Sequence, residues 1–486
     1  MYKSSFRSIL NILIITLLFP LSLAAQQQEC FLLMVGKEAS ANGQVLLAHN
    51  NDLSGTEASM LIKVPSYETI DILPDSSFSF VEQYEMLVLQ TNIGFFEGDA
   101  VAINEHGVAI AGGLALKRDR NSNAEFTDSL IPSGLGGGVR YFALQHSKTA
   151  RECVEIIGKL YNHYGVSYPS GVGIADTNEI WYLEAGGGHS WAAVRIPNDC
   201  YFVGANSYRI GEIVFTDTLN YKYSPNLPSL HNSLNEANAK RLHFADLFGN
   251  GVKEKAGNNL YNTRRLWRTI NILNPEMNVS SEEEVFPIFI KPEEKIDLKQ
   301  CFSILRDYYQ ETPFDIYKPE NTKNPERSIA VWDCVHTNVI SLSPGMHTDY
   351  GTVLWTGFST PFTAIYTPVY FGCKNMPISY DIAPSGFYAN SAFWIYKRLG
   401  DLCKNDYPGK MQDWRKNRKL FETMEIERQN SIVQEAKRMQ NMHPDRLNSY
   451  LNNLSNEFAK EALKMATDMI DTLEIKKSYI TKLPTY

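Results

Sequence analysis

Cys30 is the residue from which a reaction is most readily built. The thiolate is the attacking form of cysteine, and it needs a base and a polarising neighbourhood to form at neutral pH. If Cys30 becomes the first residue of the mature chain, its own α-amine can serve as that base. An α-amine titrates near pH 8, well placed to take a thiol proton, so no histidine is required. Such a site also needs a carboxylate to hold the amine, an amide to receive a developing oxyanion, and charge to anchor a substrate. The other use of a cysteine near an exported N-terminus is a lipid anchor. That processing wants small residues before the cysteine, whereas Gln27, Gln28 and Glu29 precede this one. Other chemistries find little support. His336 and His347 are not at metal-ligand spacing and no HExxH occurs, so neither a metal nor a cofactor is expected. There is no GxSxG elbow. Gly136–Gly138 and Gly186–Gly188 lack a Walker lysine or a dinucleotide fingerprint and read as turns.

The elements around Cys30 must hold it firmly. Phe31–Val35 is a continuous apolar run, predicting a buried strand, and Gly36–Gly43 reads as the turn into a second strand over Val45–Ala48. Val101–Ile103 and Val108–Ala111 flank Asn104–Gly107, a hairpin pattern; Gly171–Ala175 and Ile180–Leu183 flank Asp176–Glu179 in the same way. Trp191–Ile196 and Tyr201–Val203, around Pro197–Asp199, predict a third hairpin. Helical periodicity appears over Thr149–Tyr161, Glu236–Leu247 and Leu260–Leu273. Residues Thr216–Leu234 are rich in Ser, Asn, Pro and Thr and read as a surface loop. Successive hairpins with helices packed over them define an α+β class. Beyond residue 404 two amphipathic stretches follow. No a/d heptad persists through them, so residues 405–486 are expected to form a helical region packed on the core rather than a free coiled coil.

At the N-terminus, Lys3 and Arg7 precede an apolar run from Ile9 to Leu23, which exits through Ala24 and Ala25 into Gln26–Gln28. That is the pattern of a secretory signal peptide over residues 1–25; the competing reading is a retained signal anchor, against which stand the shortness of the run and its interruption by Pro20. A propeptide of residues 26–29 then separates it from Cys30, and its removal is required to free the amine. The protein is expected to be exported, to periplasm or medium. No later stretch approaches the roughly 20 apolar residues of a membrane helix, so no stable membrane insertion is expected after cleavage. With 486 residues and a net charge of −8, and lysines and arginines scattered among acids, nothing marks a nucleic-acid partner. Seven cysteines in an exported chain leave at least one unpaired or paired between molecules, and Cys30 is the natural candidate for the free thiol. The pairing of Cys153, Cys200, Cys301, Cys334, Cys373 and Cys403 stays open, as does any oligomeric state.

Cys30–Gly43, followed by Leu47–Asp52, resembles the start of the mature cysteine dipeptidases of the dipeptidase A type. These are relatives of the secernins and, more distantly, of bile salt hydrolases and penicillin V acylases. The likeness continues in order through Asn104–Ile110, Ile174–Glu184, Trp191–Asp199, Ala205–Ile213, Arg265–Arg268, Gly351–Trp355 and Tyr366–Tyr370. The resemblance implies a four-layer αββα N-terminal-nucleophile hydrolase sandwich over residues 30–404, with the helical region added. It implies Cys30 as nucleophile, Asp52 as the carboxylate orienting its amine and Asn206 as the oxyanion-hole amide. Arg265 is implied near the thiol, with Arg264 beside it as the alternative. Small peptides, dipeptides first, are the implied substrates. Relatives usually carry arginine three residues before the aspartate, where this chain has His49; with Asn50, it is expected to tune the site or bind substrate, and to make activity depend on pH. Taken alone, Asp52 reads as a turn residue, Asn206 as a cap and Arg265 as a surface residue; their joint occurrence behind Cys30 favours catalysis. The rival readings are an N-acyl amide hydrolase of the bile-salt or acyl-homoserine-lactone type, and a non-catalytic surface protein on the same scaffold.

Overall fold

The computed structural model describes residues 29–93, 100–116, 128–230, 244–249, 260–283, 285–323 and 325–480. The expected signal peptide, all but the last residue of the expected propeptide, and residues 236–243 of one expected helix lie outside that set.

Strand β1 (Glu29–Val35) carries Cys30 as its second residue. Phe31 to Val35 are wholly buried on both faces, so the strand has no solvent side and lies inside its sheet. Its antiparallel neighbours are β2 (Val45–Asp52) and β10 (Tyr201–Gly204). Strands β12 (Cys334–Leu342), β13 (Thr352–Phe358) and β14 (Thr367–Tyr370) extend the sheet beyond β2 in the order β10-β1-β2-β12-β13-β14. The second sheet, also antiparallel, has eight strands in the order β11-β9-β8-β7-β6-β5-β4-β3. These are β3 (Ser59–Val64), β4 (Met86–Thr91), β5 (Ala100–Asn104), β6 (Ala109–Ala115), β7 (Ser170–Ala175), β8 (Ile180–Gly187), β9 (Ser190–Ile196) and β11 (Tyr221–Tyr223).

The sheets pack face to face, with β1 and β2 lying over β6. Leu32, Met34, Leu89, Val101, Ile103 and Ala111 share the core between them. Alternate residues of the second sheet, such as Val88, Ala102, Ile110 and Ile174, face the other way. They meet helices α1 (Gly138–Gln145) and α2 (Ala150–Tyr164). The outer face of the first sheet is covered by α3 (Leu260–Leu273), α4 (Leu298–Leu305) and α5 (Ala392–Cys403), with α6 (Gln412–Met442) and α7 (Pro444–Ile480). The molecule is therefore α+β, with four layers in the order helix, sheet, sheet, helix.

Two expected hairpins are present, β5–β6 and β7–β8. Helix α2 starts where its periodicity does, with the Thr149 hydroxyl accepting from Glu152 N at 3.1 Å. The third hairpin does not form. Strand β9 stays in the second sheet and β10 pairs with β1 in the first, so Pro197–Cys200 carries the chain between sheets. The crossing is held by the β1–β2 turn, where Glu38 N and Ala39 N both donate to Asn198 O and Gly36 N donates to Cys200 O. All seven cysteines are free thiols, and all but Cys200 are buried. No helix among the described residues is long and apolar enough to cross a membrane.

Candidate active site

The site is assembled where β1 begins. In the β1–β2 register Cys30 lies opposite Asn51, and residue 29 lies opposite Asp52. Because side chains alternate along a strand, Cys30 and Asn51 project into the space between the sheets, while Asn50 and Asp52 project toward the helices. The thiol donates to Asn51 Oδ1 at 3.4 Å and lies 4.0 Å from Gly113 O of β6. Gly112 and Gly113 have φ of 126° and 113°, and the β6–β7 register shifts beside them. A bulge with positive φ re-aims that backbone toward the cysteine.

Three of the residues singled out from the sequence converge. Arg265, buried on α3, donates from Nη1 to the backbone carbonyl of Cys30 at 3.0 Å and from Nη2 to Asn206 Oδ1 at 3.0 Å. Asn262, one turn earlier on α3, accepts from the same Nη2 at 2.5 Å and from Asn206 N at 3.1 Å. With its oxygen on the guanidinium, the Asn206 amide must turn its NH2 the other way, and Nδ2 donates to Ala115 O at 3.1 Å. Gly113 and Ala115 are two residues apart on β6, roughly 7 Å along a strand. The thiol and the Asn206 amide thus hang over one stretch of one strand. Arg264 turns elsewhere, to Glu282 at 3.1 Å and over the Phe314 ring. The choice between the two arginines falls on Arg265.

Asp52 forms an ion pair with Arg327 and is 4% exposed. Its Oδ1 accepts no hydrogen bond of ordinary geometry. Burial raises the Asp52 carboxyl above its usual range, against the opposing pull of Arg327 and, more weakly, Arg265. Asp52 faces residue 29 across the ladder. Asn50 lies on the face away from the thiol and is saturated. Its Nδ2 donates to Leu305 O at 2.9 Å and Ile329 O at 3.0 Å, while its Oδ1 accepts from Thr337 Oγ1 at 2.6 Å.

His49 lies on the thiol's face, one rung deeper than Asn51, with neither ring nitrogen hydrogen-bonded. Burial, then His336, then Arg140 push its pKa well below the usual histidine value. That direction runs against the pH switch expected at this position, because burial disfavours the charged ring. Sequence reasoning missed Asn51 and His336. His336 Nε2 meets Asn51 Nδ2 at 3.2 Å, and its Nδ1 meets Asn338 Nδ2 at 3.2 Å, extending the thiol's hydrogen bonds across β12. Strand alternation alone could have selected Asn51 over Asn50; nothing local to His336 indicates that β12 lies beside β2.

The fold is a four-layer αββα sandwich in which Cys30 lies at the start of an inner strand, clamped through its own carbonyl. The chain belongs to Peptidase family C69, which it matches over residues 29–419. It is an enzyme, a cysteine-type peptidase. A probable dipeptidase of Salmonella dublin is 28% identical over 393 residues, covering 77% of this chain and 90% of the other. A probable dipeptidase of Latilactobacillus sakei is 24% identical over 484 residues, covering 93% and 96%. The solved structure of a mutant conjugated bile acid hydrolase from Clostridium perfringens overlaps 68% of this chain and 89% of that one, at 13% identity. Its TM-score is 0.30.

Proposed function

We propose that the protein is an exported dipeptidase that hydrolyses the amide bond of dipeptides with Cys30 as an N-terminal nucleophile. The observation that carries this reading is the Arg265 guanidinium, which joins the carbonyl of Cys30 to the side-chain amide of Asn206. The names of the similar proteins support dipeptides as substrates. The basic, apolar and small-residue succession of residues 1–25 supports export.

In this mechanism removal of residue 29 leaves the Cys30 α-amine facing Asp52, whose carboxylate, held as an ion pair by Arg327 against the cost of burial, orients it. The amine takes the thiol proton, and the thiolate attacks the carbonyl carbon of the scissile amide. The electron pair of the C=O bond moves onto oxygen, where the Asn206 amide stabilises it. The intermediate collapses with cleavage of the C–N bond, and the α-ammonium gives its proton to the departing amine. A thioester remains on Cys30. Water then gives a proton to the α-amine as its oxygen attacks, a second tetrahedral intermediate expels the thiolate, and the proton returns to sulfur. Every proton and electron pair is accounted for by the thiol, the amine, the substrate and one water.

Cys30→Ala tests the reading. The variant is expected to keep the wild-type melting temperature and lose dipeptide hydrolysis by at least about 10³-fold, as loss of a covalent nucleophile does. Turnover at the wild-type rate in Cys30→Ala overturns it.

A further inference from the structure

Away from the catalytic residues, α4 and α6 enclose a half-open cavity of about 450 Å³. Its charge is lopsided. Lys299, Arg306, Arg415, Arg418 and Lys419 line it, against only Asp297 and Glu422. This excess sits on a chain whose net charge is −8. Both carboxylates are already engaged. Asp297 caps α4, accepting from Gln300 N at 2.8 Å. Glu422 takes Arg306 at 2.5 and 2.9 Å and also accepts from Tyr366 N at 2.9 Å.

Arg418 directs its hydrogen bonds to backbone carbonyls rather than to a carboxylate. It is 5% exposed, and its Nη1 donates to Phe362 O at 2.6 Å, with Pro361 O and Ala364 O at 3.4 Å. Its Nε, like the Nε of Arg306, is buried without a hydrogen-bond partner. A buried guanidinium without a paired carboxylate is costly, and the planar fork of arginine matches a carboxylate in two-point geometry. The remaining wall includes the rings of Phe302, Tyr308 and Tyr407. The volume falls within the range of about 300–1,000 Å³ found for small organic ligands, and aromatic walls suit an apolar body.

We propose that this cavity is a binding site for a small organic carboxylate with an aromatic or aliphatic body, separate from the catalytic residues. The carboxylate faces the arginines of α6 and the body lies along the rings.

Thermal unfolding of the full chain in phenylacetate tests this, with phenethylamine and with sodium chloride at equal ionic strength as comparisons. Phenylacetate is expected to raise Tm saturably, by about 2 °C or more at saturation, while the amine and the chloride do not. Arg415→Ala, on the half-buried wall, and Lys419→Ala, at the exposed rim, are expected to weaken the apparent Kd several-fold each without altering dipeptide turnover. The site is overturned by no saturable shift, by an equal shift from chloride, or by wild-type affinity in both variants. Because the readout is binding, failure here is separate from failure of the dipeptidase reading.

Discussion

Arg265 is the residue on which the site's geometry depends, because one guanidinium, besides its bonds within α3, joins the Cys30 carbonyl to the Asn206 amide, two acceptors from different parts of the chain. Lysine, a point charge without the fork, can satisfy one of them but not both. Asn206→Ala removes the proposed oxyanion donor and is expected to lower kcat by about 10²–10³ with little change in KM. Arg265→Lys is expected to fall between wild type and Asn206→Ala; steady-state kinetics on one dipeptide orders the three. An Asn206→Ala variant with unchanged kcat would remove that residue from the mechanism. His49 gives a prediction about pH. Burial, then His336 and Arg140, push its pKa well below the usual histidine value, so its titration is not expected to shape the profile near pH 6.5. The pH–rate profile of His49→Gln should therefore keep both wild-type limbs, and loss of a limb near pH 6.5 contradicts the assignment. Cys30 stood out in the sequence by residue type and position, whereas Asn206 and Arg265 were reached only through the family resemblance, since each alone reads as a cap or a surface residue. Asn51 was hidden beside Asn50 until the strand's facing was known. His336, 285 residues from Asn51, needed the β2–β12 pairing, which no local pattern encodes.

At the scale of elements, the segment that carries Asn206 is held by β8. Glu184, wholly buried, accepts from Arg209 N at 2.5 Å and Ile210 N at 3.1 Å, fixing the loop that follows β10. Burial lifts its pKa to about 7, against the pull of those two N–H groups. A carboxyl whose folded pKa is raised binds its proton more tightly in the native state. Its contribution is full below the unfolded value near 4.5 and is lost as pH rises through about 7. Unfolding free energies measured across that window should decline with pH in the wild type and decline less in Glu184→Gln; an unchanged slope in the variant contradicts this. Gly36 marks the other constraint. A Cβ there would lie 2.2 Å from Asn198 O, at the crossing between sheets. Gly36→Ala must displace backbone on one side or the other. It is expected to cost about 1–3 kcal/mol, read from chemical denaturation. The β5–β6 and β7–β8 hairpins were legible because their turns are local. The β9–β10 connection was not, since a turn signal reports that the chain reverses but not which sheet receives the next strand.

For the whole molecule, alternating strands and amphipathic helices indicated an α+β chain, and the motif order indicated the four-layer sandwich. The division of helices between the two outer faces was not readable, because it depends on which strand faces are apolar after pairing. Export and maturation belong to this scale as well. On the proposed reading of residues 1–25 as a signal peptide and of a cut before Cys30, the native enzyme is predicted to appear in the exported fraction rather than the cytosol. The α-amine of Cys30 is the proposed catalytic base, and an amine exists there only if the chain starts at that residue. The most direct test is the intact mass and N-terminal sequence of the active protein, measured alongside the activity of the same preparation. Activity is predicted to track the fraction of molecules beginning at Cys30. Full activity in molecules that still carry Glu29 would contradict the mechanism.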